Sequence, residues 1–83
     1  MIAAYILIEA KAGGLEEATK RISEIEGLRE IDAVTGPYDA IAYAEAPTPD
    51  DLGRLVVSEL QKVPGIHKTL TCMVVDLKAA KAA

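Results

Sequence analysis

Eighty-three residues, 51% of them hydrophobic and carrying a net charge of −4, set the first bounds. A chain this short makes one domain with a modest core and leans on self-association for further burial. Its apolar runs are too short to cross a bilayer and no signal pattern opens it, so a cytoplasmic protein without membrane contact is expected. The acidic balance is a poor footprint for nucleic acid. With no Trp or Phe and three Tyr, the stacking platform of an RNA-binding sheet is missing. The single cysteine, Cys72, lies in an apolar run and reads as a small buried hydrophobe. No CxxC, HExxH, Walker-type or GxGxxG pattern occurs, so neither metal nor cofactor is called for.

Residues 2–10, IAAYILIEA, are a compact run with β-branched members and read as a strand. Lys11 to Gly14 turn the chain. Residues 15–26 read as a helix, because Leu15, Ala18, Ile22 and Ile25 share one face while charges fill the other. Gly27 is placed to end it as a left-handed C-cap. Residues 28–35 read as a second strand, Gly36-Pro37 as a turn, and residues 38–46 as a third strand. Thr48-Pro49-Asp50-Asp51 is a helix start: Thr48 caps, Pro49 suits the first turn, and the aspartates complement the dipole. Leu52, Leu55, Val56, Leu60 and Val63 form the apolar stripe of that helix. Gly53 inside it costs about 1 kcal/mol relative to Ala, which suggests close packing there. Pro64-Gly65 stops the helix, and residues 66–77 read as a fourth strand. The domain is expected over residues 1–77, with 78–83 a frayed tail.

This β-α-β-β-α-β order predicts an α+β, ferredoxin-like fold with strands one and three in the centre of an antiparallel sheet and both helices on one face. Alternation in the central strands sets Ala4, Ile6, Ile8, Ala40, Ala42 and Ala44 on one face and Tyr5, Leu7, Ile41 and Tyr43 on the other, and helices cover only one of the two. An apolar face of that size predicts a homodimer packed sheet against sheet, a dimeric α+β barrel.

Two short motifs stand out. Val34-Thr35-Gly36-Pro37-Tyr38-Asp39 lies between strands two and three, and Pro64-Gly65-Ile66-His67-Lys68-Thr69-Leu70-Thr71 enters strand four. At this spacing they resemble the V-T-G-x-Y-D hairpin and the P-G-I/V-x-x-T-x-T stretch of the effector-binding (RAM) domain of the Lrp/AsnC family of transcriptional regulators. The resemblance covers roughly residues 2–76, with Pro37 at the family's variable position. It implies a non-catalytic module that senses a small amino acid. Its facing-sheet dimers would close into rings, octamers or decamers, with the effector at the contact between dimers. Carried over residue by residue, the ligand-binding candidates are Gly36, Tyr38, Asp39, Thr69 and Thr71. The full-length regulators carry an N-terminal helix-turn-helix, whereas here the first strand starts at Ile2. A stand-alone effector domain without direct DNA binding is therefore expected, acting alone or with full-length Lrp/AsnC regulators.

The chemistry of these residues suits a zwitterion, which needs an anion for its ammonium, donors for its carboxylate and a wall for its side chain. Asp39 supplies the anion, turn N–H groups beside Gly36 supply donors, and Thr69 and Thr71 offer hydroxyls that donate or accept. A hairpin-mouth carboxylate holds no core together, so Asp39→Ala is expected to leave the fold nearly intact. Taken singly, each residue has a plainer reading: Asp39 as a turn cap, Gly36-Pro37 as punctuation, Thr69 and Thr71 as strand formers, and His67 as a surface residue. The alternative from another class is a small dimeric α+β-barrel monooxygenase or isomerase. His67, the only histidine, has no evident partner for the acid–base work such an enzyme needs.

Overall fold

The structure, a computed structural model, describes residues 1–77; the tail expected over 78–83 lies outside the described residues. Seven stretches follow one another: strand β1 (Ile2–Ala10), helix α1 (Leu15–Ile22), β2 (Leu28–Ala33), β3 (Ala40–Ala46), helix α2 (Pro49–Arg54) with a π-helical continuation (Leu55–Leu60), and β4 (Ile66–Met73). The sheet order is β2-β3-β1-β4, antiparallel at every pairing. This is the ferredoxin-like topology, with β1 and β3 central.

Period-two alternation decides what each central strand buries. Ala4, Ile6 and Ile8 of β1 and Ala40, Ala42, Ala44 and Ala46 of β3 are inaccessible or nearly so. They face the helices and pack with Ala18 and Ile22 of α1, Leu52 of α2, and Leu55, Val56 and Leu60 of the π-helical turn. Alanine at every inward position of β3 leaves room for helices to approach closely. The volume is filled by Ile6, Ile8, Ile22, Leu52 and Leu60, the largest fully buried side chains, each worth about 1.5–3 kcal/mol of burial.

The other face, which the helices leave uncovered, carries Tyr5, Leu7, Ile41 and Tyr43. Cross-strand pairing sets Tyr5 opposite Tyr43, their rings tilted by 53° with centroids 4.9 Å apart, a separation at which aromatic pairs attract. Leu70 and Cys72 of β4 join this face through their pairing with Leu7 and Tyr5. Cys72 is exposed in the chain, not buried as the apolar run suggests, because β4 is an edge strand and pairing with Tyr5 puts Cys72 on the face the helices leave uncovered.

Several boundaries move inward. Helix α1 ends at Ile22 and not at residue 26: Ser23 begins a series of tighter turns, with the Glu24 N–H donating to Arg21 and the Ile25 N–H to Ile22. Gly27 therefore lies beyond the helix end and shapes the entry to β2, where its carbonyl accepts from the Glu45 N–H. Strands β2, β3 and β4 are each shorter than the expected spans of 28–35, 38–46 and 66–77. The start of α2 is as read: Pro49 opens the helix and the Asp51 N–H donates to the Thr48 hydroxyl at 3.1 Å.

Gly53 has no packing reason. It is exposed, and a Cβ built on it meets nothing within 4 Å. Gly53→Ala is expected to stabilise the fold by about 0.5–1 kcal/mol through helix propensity and a less flexible unfolded chain, read as a raised urea midpoint. A lowered midpoint would mean that another surface covers this position.

Candidate functional site

Both motifs reach one end of the sheet. Ala40 pairs with Ile8 and Ile8 with Thr69, a row across β3, β1 and β4 whose outer members are about 10 Å apart, two strand spacings. Thr69 and Thr71 share a face, as their spacing requires. The register makes it the helix-side face, since they pair with the buried Ile8 and Ile6. Thr69 is half-buried and Thr71 exposed.

Asp39 does more than sit in a turn. Its N–H donates to the Ile8 carbonyl at 2.8 Å, its carbonyl accepts from the Val34 N–H at 2.9 Å, and its Oδ2 accepts from the Ala10 N–H at 2.8 Å. The last bond has a local cause. Ladder pairing of β3 with β1 ends at Ala40–Ile8, and the β1–β4 register slips between Glu9 and Ala10. The Asp39 carboxylate stands where the next main-chain carbonyl would have been. It ties together segments 29 positions apart in sequence, so the expectation that Asp39→Ala leaves the fold nearly intact is corrected: alanine would orphan the Ala10 N–H. Oδ1 remains without a partner among the described residues.

Gly36 has φ +142° with open space around it. Tyr38 is half-buried, and among the described residues its hydroxyl makes no hydrogen bond. No hydrogen bond or ion pair among the described residues joins the hairpin to either threonine. The structure thus places the hairpin and Thr69 toward one sheet end, with Thr71 one pair further in opposite Ile6. Two clefts, of about 450 and 710 Å³, lie elsewhere, beside the chain following α1 and the π-helical turn. Both are lined by Ile25, Glu26, Ser58 and Glu59, and neither by any of the five.

Two contacts here were not legible in the sequence. Gln61 Nε2 donates to Thr69 Oγ1 at 3.2 Å. The loops entering α1 and β4 meet backbone to backbone: the Lys11 N–H donates to the Gly65 carbonyl at 2.7 Å, and a Cβ on Gly14 would fall 2.9 Å from the Gly65 Cα.

A family model described as the Lrp/AsnC ligand binding domain matches residues 3–81. The chain belongs to this family. Among solved structures similar to this Lrp/AsnC domain, FFRP-DM1 is 29% identical with a TM-score of 0.86, the match covering 90% of this chain and 100% of that one. Escherichia coli AsnC shares the fold at a TM-score of 0.85 and 20% identity, over 90% of this chain and 51% of its own. Among curated relatives, an HTH-type transcriptional regulator of Pyrococcus horikoshii is 29% identical over 66% of this chain and 37% of its own length. A homocitrate synthase of Sulfurisphaera tokodaii is 34% identical over 68% of this chain and 12% of its own length. The Lrp/AsnC domain thus spans well under half of these longer relatives. Among its described residues, no helix is long and apolar enough to cross a membrane.

Proposed function

We propose that this chain is a non-catalytic effector module that binds a small amino acid at a contact between dimers, using Gly36, Tyr38, Asp39, Thr69 and Thr71. One observation carries the reading: Asp39 Oδ1 and the hydroxyls of Tyr38 and Thr71 stand without partners among the described residues, and neither of the two clefts described above is lined by them. Such groups suit a zwitterion that is closed in by a second subunit. A structural neighbour from Neisseria meningitidis was solved as a complex with L-Met; it shares the fold at a TM-score of 0.83 and 16% identity, over 90% of this chain and 50% of its own. The span of the relatives also supports the reading. A unit found in both an HTH-type regulator and a homocitrate synthase fits a ligand sensor better than it fits either the DNA-binding part or the catalyst.

The uncovered sheet face, with Tyr5, Leu7, Ile41, Tyr43 and Leu70, supports pairing of two copies face to face. Rings of such dimers would then set one hairpin against the next. The module would act alone or by co-assembly with full-length regulators, without itself gripping duplex DNA, since its charge is −4. Light scattering during size exclusion at micromolar concentration is expected to give a dimer or a multiple of one. A stable folded monomer would remove the argument for a site between dimers.

Binding is tested by thermal shift against the twenty amino acids. An amino acid at a hundredfold excess over its Kd should add about 2.7 kcal/mol to stability. If none moves the transition at millimolar concentration, the amino-acid reading falls.

A further inference from the structure

Gln61 lies outside both motifs, yet it is the residue whose side chain meets Thr69. Its place follows from the irregular stretch before it. From Leu55 to Leu60 the helix widens to π geometry, and the Gln61 N–H donates to the Val56 carbonyl at 2.9 Å. Each residue of a π turn advances less around the axis than in an α-helix, so the widening rotates every residue that follows. Such interruptions are often kept at functional sites. Here Gln61 ends over β4, its amide donating to Thr69 Oγ1 at 3.2 Å.

A threonine hydroxyl has one proton to give and two lone pairs. One lone pair of Thr69 is taken by the Gln61 amide. Its proton has no acceptor in the chain among the described residues, and it cannot point at the amide hydrogen. We infer that Gln61 is a positioning residue that fixes the Thr69 hydroxyl as a donor, and so orients a bound amino acid with its carboxylate toward Thr69 and its ammonium toward Asp39 Oδ1. This rests on the amino-acid reading above and adds a polarity to it. The two ends are consistent: the free carboxylate oxygen is an acceptor for an ammonium, and the free threonine proton is a donor for a carboxylate.

The test is a double-mutant cycle read by calorimetry, using as probe the L-amino acid that gives the largest shift among the twenty. Gln61→Glu places an acceptor where the amide donor stood, so the Thr69 proton turns toward it and away from the probe. Its Kd should rise about ten- to hundredfold, the usual worth of a hydrogen bond to a charged group. The melting transition should barely move, because Gln61 is exposed. Thr69→Val should weaken binding to a similar degree, and adding Gln61→Glu to Thr69→Val should cost little more. Gln61→Glu binding as tightly as wild type would overturn the positioning role while leaving the amino-acid reading intact. A full further loss in the Thr69→Val background would overturn it too, showing plain charge repulsion. Absence of any amino-acid binding by wild type would sink both.

Discussion

Asp39→Asn is expected to keep the stability of the fold and weaken ligand binding, whereas Asp39→Ala weakens both. In the asparagine variant the side-chain carbonyl still accepts from the Ala10 N–H, which Asp39 Oδ2 now holds at 2.8 Å. The negative charge is gone, so an ammonium loses its anion, at a cost of about 1.5–3 kcal/mol of binding. In the alanine variant the half-buried Ala10 N–H has no acceptor, and stability falls by about 1–3 kcal/mol. Urea unfolding gives the stability of each variant, and calorimetry with the best amino acid of the screen gives the binding. If Asp39→Asn binds as tightly as wild type, Asp39 is a structural carboxylate and the ammonium lies elsewhere. If Asp39→Ala is as stable as wild type, another group reaches the Ala10 N–H.

Gly65→Ala is expected to destabilise the protein by about 2–5 kcal/mol. The residue has φ +96°, a conformation that costs a side-chain-bearing residue about 1–3 kcal/mol. Its new Cβ would also sit 2.9 Å from the Gly14 carbonyl oxygen and 3.4 Å from the Gly14 Cα. These neighbours are main chain, so no rotamer change relieves the contact, and overpacking adds about 1–3 kcal/mol. The bond from the Lys11 N–H to the Gly65 carbonyl must then stretch, and with it the entry to β4 that carries Thr69 and Thr71. Urea unfolding checks the stability. A loss below about 1 kcal/mol would show that the two loops separate freely. Gly53→Ala, with open space around it, carries the opposite sign, so the pair separates backbone crowding from helix propensity.

The order of elements and the residues that share a strand face are legible in the sequence, whereas the face that the helices bury was settled by the fold. Alternation is a local property: Ala4, Ile6 and Ile8 against Tyr5 and Leu7 is readable residue by residue, and burial follows it. The cap at Thr48 and the turns at Gly36-Pro37 and Pro64-Gly65 are local chemistry as well, legible for the same reason. The hairpin and strand-four motifs resembled a family strongly enough to name it, and the family model agrees over residues 3–81. Tertiary structure decided what depends on partners far apart in the chain. A turn aspartate became a substitute ladder carbonyl because β3 ends where β1 continues. Two unremarkable loop glycines became a backbone contact because α1 and β4 start side by side. Cys72 was left open because its strand fell at the sheet edge. Helix α2 widened after Arg54 although its apolar stripe reads as an ordinary helix. The hydrogen bond that closes a π turn forms between residues whose sequence carries no distinct signal, so Gln61 and its hold on Thr69 emerged only when the helix was packed against the sheet.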